Sequence, residues 1–376
     1  MSTKNIKTWI QIKSSAVAHN LIIFRSLIGP KVKLWAVVKS NAYGHGLLTF
    51  SKLINGFGVD GFCVDSLIEG IKLRDNGVKK PILVLGPTLP GIFSDAKKKN
   101  ITITISNFDA LGKYLKSKEK PDFHLKIDTG MHRQGFYVEQ LKKVVQQIQR
   151  SNVKGQMFLK GVYTHFASAK DINYPTFTDK QFGEFQKAIQ LLEKAGFKNL
   201  IKHCAATGAT LMNNKYHLDA VRIGIGLYGL WPSMELEAQL GNKIRLQPAL
   251  SWHSLVSEVK DLKKGDYVGY DLVERVIRLS KMAVIPIGYW HGFDRRLSGV
   301  GEVLVNGRRA RVLGKVSMDL IVVDVTGIKC KFGDRVTLVG RQGKEEITLY
   351  EMARKIGTSH YEAITRINPL IERIIS

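Results

Sequence analysis

The chain has 376 residues, a length that suggests about two domains. Hydrophobic residues make up 44 % of it and no apolar run is long enough to span a bilayer, so the sequence predicts a globular protein outside the membrane. The net charge of +25 comes from basic residues in short groups along the whole chain, without an arginine-rich arm, which favours a solvated surface over a nucleic-acid-binding one.

The cysteines and the N-terminus predict a cytoplasmic protein. Cys63, Cys204 and Cys330 are odd in number, far apart and without C-x-x-C spacing, which argues against a disulfide framework and a cysteine-rich zinc site. The histidines show no metal-ligand pair, so no metal is expected. The N-terminal MSTKNIKTWIQIK lacks the apolar core and the small-residue cleavage site of a signal peptide.

Apolar strand-like runs alternate with amphipathic segments in the first part of the chain. The first run, TWIQI at 8–12, is expected to pair with the C-terminal part. Eight further strands are predicted at 32–38, 61–64, 82–85, 101–105, 123–127, 161–165, 200–203 and 220–223, with helical patterns such as 67–75, 110–116, 138–150 and 179–195 between them. Eight strand–helix units in this length predict a parallel (β/α)8 barrel of the TIM type.

The pattern changes after Pro248, where apolar and polar residues alternate and turn signals such as Asn306-Gly307 become frequent. Strands are predicted at 283–287, 303–305, 320–325 and 336–339, followed by a helix at 349–356. We therefore predict two domains: residues 1–245, a barrel that binds a cofactor, and residues 246–376, a mainly β domain.

Polar side chains follow several of the predicted barrel strands, at the end where barrel enzymes hold their active sites. A lysine at the end of a buried strand suits a Schiff base with a carbonyl, above all with pyridoxal phosphate, although a solvated strand end is the plainer alternative. The side chains concerned are Lys39 with Tyr43, Lys126 with Arg133, His165, Thr207, and Arg222 with Gly224.

Seven motifs along the chain resemble those of the alanine racemase family, in the family's order. They are AVVKSNAYGHG, HLKIDTGMHRQG, GVYTHFASA, VRIGIGLYG, VGYD, IPIGYWHG and LGKVSMDLIVVDV. The resemblance implies an α/β barrel with a C-terminal β domain, bound pyridoxal 5′-phosphate, and interconversion of L- and D-alanine that supplies D-alanine for peptidoglycan. It also implies a homodimer with shared active sites.

The resemblance also assigns catalytic roles to particular residues. Lys39 would hold the cofactor and remove the α-proton of D-alanine, and Tyr270 would enter the partner's site and remove the α-proton of L-alanine. Arg222 would face the pyridine nitrogen and, with His165, link to Tyr270. Because arginine keeps its proton, the ring nitrogen would stay unprotonated, which disfavours transamination.

The remaining family roles concern the phosphate and the substrate. The phosphate would be bound by Tyr43, Thr207, Gly224 and Ile225. Arg133 and the backbone of Met318 would hold the substrate carboxylate. Lys126 matches a lysine that some members carry in carbamylated form, and whether it is modified here stays open.

The chain departs from the family pattern at several positions. Asp271 follows Tyr270 where glycine is usual, His291 stands where G-Y-x-D-G has aspartate, and Pro369 aligns with a phosphate-contacting tyrosine. The alternatives are a racemase of other or more amino acids, such as serine or lysine, and a pyridoxal-phosphate decarboxylase or aldolase on the same barrel. A non-catalytic barrel and a nucleic-acid-binding protein are weaker, because the first lacks a β domain and the second rests on charge alone.

Overall fold

The computed structural model describes residues 6–151 and 158–376, and these form two compact units. The barrel unit comprises Ser15–Ala42 and Phe50–Gln247. The β unit comprises residues 6–14, Tyr43–Thr49 and Pro248–Ser376. Tyr43–Thr49, which the sequence assigns to the barrel, is therefore grouped with the β unit.

The barrel unit is built on a parallel sheet. After β1 (Thr8–Ile12), which belongs to the β unit, the described residues form eight parallel strands: β2 (Lys33–Val37), β3 (Gly61–Val64), β4 (Ile82–Pro87), β5 (Thr102–Ile105), β6 (Phe123–Lys126), β7 (Leu159–Tyr163), β8 (Ile201–His203) and β9 (Ala220–Ile223). Their order is β8-β7-β6-β5-β4-β3-β2-β9. A bridge between Ala206 and Arg222, with the Arg222 N–H donating to the Ala205 carbonyl at 2.9 Å, nearly closes the barrel. The predicted barrel is confirmed.

Helices accompany these strands, and most of them bury an apolar face. They are α1 (Ser14–Ile28), α2 (Leu47–Gly56), α3 (Leu67–Asp75), α4 (Phe93–Lys98), α5 (Phe108–Lys116), α6 (Leu141–Arg150), α7 (Thr176–Lys194), α8 (Thr207–Met212) and α9 (Met234–Leu240). In α7 the predicted stripe from Phe182 to Leu192 is buried. Ser66 caps α3 by accepting the Glu69 N–H at 3.3 Å, which fixes the helix start where the sequence predicts it.

The β unit is a mainly antiparallel sheet. Its further strands are β10 (Leu250–Leu255), β11 (Glu258–Leu262), β12 (Tyr267–Val268), β13 (Glu274–Arg275), β14 (Ser280–Ile285), β15 (Glu302–Val305), β16 (Arg308–Leu313), β17 (Ile321–Asp324), β18 (Arg335–Gln342), β19 (Glu345–Ile347) and β20 (Glu372–Ile375). The main sheet runs β11-β14-β17-β16-β15-β18-β10-β1-β20, β19 pairs with β18, and β12 with β13 forms a separate hairpin. Helices α10 (Leu349–Lys355) and α11 (His360–Thr365) precede β20. β1, which is formed by residues 8–12, pairs with β10 and β20.

The described residues contain neither a membrane-spanning helix nor a cluster of metal ligands. None of their helices has the length and apolar character needed to cross a membrane. Nor do residues 6–151 and 158–376 contain a group of three or more His, Cys, Asp or Glu side chains placed to hold a metal ion.

Candidate active site

The barrel unit gathers most of the predicted site residues at the carboxyl ends of its strands. Lys39 follows β2, Lys126 ends β6, Arg133 lies in the next loop, His165 follows β7, Thr207 begins α8 and Arg222 lies in β9. The other predicted side chains, Tyr43, Tyr270 and Met318, belong to the β unit.

The backbone after Lys39 makes a left-handed turn. Four consecutive residues, Ser40 to Tyr43, have φ between 49° and 56°. Each L-residue in this region costs roughly 1–2 kcal/mol, so other contacts must hold the turn. The Glu69 carboxylate provides one, since it accepts the Ser40 N–H at 2.7 Å and the Asp65 N–H at 2.9 Å. The Lys39 amine lies 3.6 Å from the Asp65 carboxylate, at the mouth of the barrel.

Arg222 is a buried cation whose donors are almost all used inside the barrel. Its Nη2 donates to the carbonyls of Thr164 at 2.8 Å and Cys204 at 3.1 Å. Its Nη1 donates to the His203 carbonyl at 3.1 Å and lies 2.6 Å from His203 Nδ1. The Nε–H makes no hydrogen bond with the described residues. The guanidinium is thus fixed in orientation with one donor left for a ligand.

Two buried histidines continue this network below Arg222. Because the guanidinium can only donate, His203 Nδ1 accepts, so the His203 proton is on Nε2, which donates to His124 Nδ1 at 2.8 Å. Burial is the main cause that lowers the pKa of both rings, that of His124 to about 3, so both stay neutral. The His203 ring stacks on Tyr163 at 4.8 Å. Gly161 makes room, since a Cβ there would lie 2.5 Å from the His124 ring.

A cluster of cations surrounds His165. Arg222 Nη2 lies 3.4 Å from His165 Nδ1. Burial, and then the charges of Arg222, Arg133, Lys126 and Lys39, hold the pKa of His165 well below its usual range. Burial, and then the charges of Arg133, Arg222 and Lys39, lower the pKa of Lys126 to about 8. The Asp128 carboxylate opposes this shift in part. The excess of positive charge suits an anionic ligand.

The loop after β6 is organised by one carboxylate. Asp128 accepts four backbone N–H groups at 3.0 Å, from Gly130, Met131, His132 and Arg133. Burial raises the pKa of Asp128, but these hydrogen bonds outweigh burial and the pKa falls below its usual value. Lys126 Nζ donates to Gln134 Oε1 at 3.0 Å. Asp128 therefore fixes the backbone that carries Arg133.

The predicted phosphate-binding residues of the barrel unit also meet. The Thr207 hydroxyl accepts the Gly224 N–H at 3.1 Å and the Gly226 N–H at 3.4 Å. Its own proton has no acceptor among residues 6–151 and 158–376, and the Ile225 N–H has none there either. Thr207 and Ile225 thus present two donors beside the buried end of β9.

In the β unit, Tyr270 lies at the tip of the β12–β13 hairpin. Its side chain is 66 % exposed, and its hydroxyl has no hydrogen-bond partner among the described residues of its own chain. Met318 is also exposed, and its carbonyl accepts the Trp290 N–H at 3.0 Å. Tyr43 packs near Tyr361, with ring centroids 6.3 Å apart.

The departures from the family pattern have structural roles in the β unit. His291 is buried and accepts the Gly288 N–H at 3.2 Å through Nδ1. Beside Pro369, which aligns with a tyrosine of the family pattern, the Asn368 amide donates to the Trp290 carbonyl at 2.9 Å and joins this segment to the loop of residues 289–291. Asp271 adopts φ of 62°, the left-handed region that favours the usual glycine.

Four residues of the site were not predicted. Glu69 and Asp128 position the loops of Lys39 and Arg133, and His203 and His124 support Arg222. The Ser66-x-x-Glu69 pattern of a helix start gave a local signal for Glu69. His203 and His124 act through contacts with residues distant in sequence, which spacing does not reveal. Asp128 acts within its own loop, on the backbone of residues 130–133.

Comparisons with known proteins identify the family of the chain. Residues 12–232 match the family model of the alanine racemase N-terminal domain, and residues 249–375 match that of the C-terminal domain. A relative named alanine racemase from Leptospira interrogans serogroup Icterohaemorrhagiae serovar copenhageni (strain Fiocruz L1-130) is 36 % identical over 379 residues, covering 98 % of this chain and 95 % of the relative. One from Methanococcus maripaludis (strain DSM 14266) is 37 % identical over 371 residues, covering 97 % and 98 %.

Solved structures give the same result. The chain superimposes on the crystal structure of alanine racemase from Bacillus anthracis with bound L-Ala-P with a TM-score of 0.93 and 34 % identity, covering 100 % of this chain and 96 % of that one. For alanine racemase of Clostridium difficile 630 the TM-score is 0.90 and the identity 32 %, with coverage of 99 % and 96 %. This chain belongs to the alanine racemase family.

Proposed function

We propose that this protein is a pyridoxal-phosphate-dependent racemase that interconverts L-alanine and D-alanine. The observation that carries the proposal is the fixed Arg222 guanidinium, whose Nε–H is left unused by the described residues and is available to a ligand. Such a donor suits an unprotonated pyridine nitrogen, and arginine does not give up its proton to the ring. A carboxylate at this position would have favoured a protonated ring and a stronger electron sink.

The other donors of the barrel unit fit the rest of the cofactor. The Lys39 amine would bind the aldehyde carbon covalently. The free hydroxyl proton of Thr207 and the N–H of Ile225 would bind the phosphate, with Gly224 shaping the turn. The family resemblance adds the hydroxyl of Tyr43, which belongs to the β unit. The surrounding cations would offset the charge of the phosphate.

The cofactor, when bound, would supply an electron-withdrawing ring that makes the α-proton of alanine acidic. We propose that the Lys39 amine exchanges this proton on the face of D-alanine and the Tyr270 hydroxyl on the face of L-alanine. His165, held neutral by burial and by the neighbouring cations, retains a ring nitrogen that can share a hydrogen bond with that hydroxyl. Arg133 and the Met318 backbone would hold the substrate carboxylate.

We also propose a homodimer in which Tyr270 acts in the partner's site. Tyr270 has no partner in its own chain among residues 6–151 and 158–376, and apolar side chains near its hairpin are exposed. They are Leu272, Val273, Ile277 and Leu279. Exposed apolar groups concentrated in one segment are typical of a protein interface.

We also propose, from the sequence, that the protein is cytoplasmic and supplies D-alanine for peptidoglycan.

Lys126 is proposed to be carbamylated. Its pKa of about 8 leaves a large neutral fraction at mildly basic pH, and only a neutral amine adds to carbon dioxide. The N–C bond forms as the amine loses one proton, and the product is an anion among cations. That anion would pair with the Arg133 guanidinium, where the unmodified amine repels it.

The test is a chiral amino-acid assay on the purified protein loaded with pyridoxal phosphate. We expect racemisation of alanine in both directions, and serine and lysine in the same assay test the alternative of a broader amino-acid range. Mixing inactive Lys39→Ala with inactive Tyr270→Phe should restore part of the activity, because one hybrid site has both bases. If no mixture recovers activity although the subunits exchange, the shared site or the role of Tyr270 is wrong.

A further inference from the structure

The hairpin that carries Tyr270 has an unfavourable tip. β12 and β13 are two residues long, and residues 269–273 connect them. Within this loop Asp271 has φ of 62° and Leu272 has φ of 53°, both in the left-handed region that L-residues avoid. Two paired residues on each side are too few to hold such a loop in one conformation, so it depends on contacts with the rest of the β unit.

The base of the hairpin is held against β16 and the residues after it. Glu274 in β13 pairs with Arg311, whose Nη2 and Nη1 donate to the two carboxylate oxygens at 2.7 Å and 3.2 Å. Gly314 lies directly beneath β12, since a Cβ there would be 2.5 Å from the Val268 carbonyl oxygen. Contacts with residues 311–314 therefore hold the base of the hairpin in place.

Among the described residues the tip has one side-chain tether, which reaches Lys315, the residue after 311–314. The Asp271 carboxylate pairs with the Lys315 amine. Among residues 6–151 and 158–376, the side chains of Tyr270–Leu272 make no other hydrogen bond. The Lys315 amine is the main cause that lowers the pKa of Asp271, so the carboxylate stays charged at neutral pH. Lys315 is three residues before Met318, so the pair joins the Tyr270 loop to the loop of another proposed site residue.

We propose that the Asp271–Lys315 pair is a positioning device that holds the Tyr270 hydroxyl at the place where it exchanges the proton of L-alanine. This inference rests on the proposed role of Tyr270 and adds the group that orients it. Glycine, usual after this tyrosine in the family pattern, would enter the left-handed region without strain but would leave the tip untethered. Aspartate tolerates that region better than most residues and adds the tether.

The test uses three substitutions in the dimeric enzyme loaded with cofactor. Asp271→Asn keeps a side chain that tolerates the left-handed region but removes the charge, Lys315→Gln removes the partner charge, and Lys315→Arg conserves it. Asp261→Asn is the matched control, because it breaks an exposed ion pair with Lys281 elsewhere in the β unit. The readouts are exchange of the α-proton with deuterium for each alanine enantiomer, and amide hydrogen exchange of peptide 268–275.

We expect Asp271→Asn and Lys315→Gln each to slow exchange of L-alanine by about threefold to fivefold, the upper range for an exposed ion pair, while exchange of D-alanine changes less than about twofold. The double variant should be no slower than either single one, Lys315→Arg should retain most of the rate, and peptide 268–275 should exchange faster in both charge-removing variants. Asp261→Asn should change none of these.

Equal loss for both enantiomers, or no loss for either, would overturn the proposal. Tyr270→Phe is measured alongside to separate the two levels of the argument. If Tyr270→Phe abolishes α-proton exchange of L-alanine but Asp271→Asn does not slow that exchange, only the positioning role of the Asp271–Lys315 pair is wrong. If Tyr270→Phe leaves α-proton exchange of L-alanine unchanged, the proposed role of Tyr270 is wrong, and so is the positioning role of the Asp271–Lys315 pair.

Discussion

Lys126 gives the sharpest test of the charge balance in the barrel. Its side chain is 5 % exposed, and its pKa falls from an ordinary 10.5 to about 8. Because the folded protein then binds fewer protons than the unfolded chain between these two values, an unmodified Lys126 lowers stability fully below pH 8, and the penalty is relieved as the pH rises toward 10.5. The difference corresponds to about 3 kcal/mol at neutral pH.

Replacing Lys126 with methionine therefore has opposite results for the two forms of the lysine. If the amine is unmodified, Lys126→Met removes a buried charge and should raise the melting temperature at pH 7 by about 6–12 °C for a unit of this size. If the amine is carbamylated, the substitution removes an anion that pairs with Arg133, and the melting temperature should fall.

If Lys126 is carbamylated as proposed, Lys126→Met should lower the melting temperature in bicarbonate buffer. The unsubstituted protein should then show a ¹³C-carbamate resonance after incubation with labelled bicarbonate at pH 8. Lys120→Met is the matched control, because Lys120 is 6 % exposed but donates to the Ser117 carbonyl away from the site, and it should leave the resonance unchanged. The reasoning is refuted if Lys126→Met is equally stabilising with and without bicarbonate and the resonance is missing.

Three further predictions concern other groups of the site. Borohydride reduction of the yellow, loaded protein should fix a pyridoxyl group on Lys39, and a peptide map that finds it on another lysine contradicts the assignment. Arg222→Lys keeps the charge but leaves buried acceptors unsatisfied, so the apoprotein should lose about 1–3 kcal/mol of stability per acceptor in chemical denaturation. Asp128→Asn replaces an accepting oxygen by a donor facing the Arg133 N–H, so the KM for alanine should rise about tenfold with a smaller change in kcat. Equal fold-changes in KM and kcat would argue against a role of Asp128 in binding the substrate carboxylate.

The barrel could be predicted because its segments repeat a strong local pattern. β3 and α3 have the bounds that the sequence predicts, and the stripe of α7 is buried as expected. α1 was missed although Val17, Leu21 and Phe24 have helical spacing and are buried. β11 could not be predicted, since its EVKDL sequence carries little apolar alternation and its residues are mostly exposed at the edge of the sheet.

The site was less accessible to prediction than the fold. Lys39 and Arg222 stand out by residue type and place, because an amine or a guanidinium at the end of an apolar strand is chemically unusual. The left-handed turn after Lys39 has only a weak sequence signal, because Asn41 is the one residue of Ser40–Tyr43 whose type favours that conformation. Tertiary contacts impose it on the others. The carbonyl groups that orient Arg222 belong to the backbone, which every residue has.

The hydrogen-bond chain from Arg222 through His203 to His124 has a fixed donor-to-acceptor direction, and it therefore does not conduct protons. A proton can travel along imidazoles only if each ring accepts one proton while passing on another. Here the first donor does not release its proton, and the last ring, with a pKa of about 3, does not take up a second one near neutral pH. Charge movements during turnover are thus confined to groups that face the substrate, and the barrel interior is closed to proton leakage.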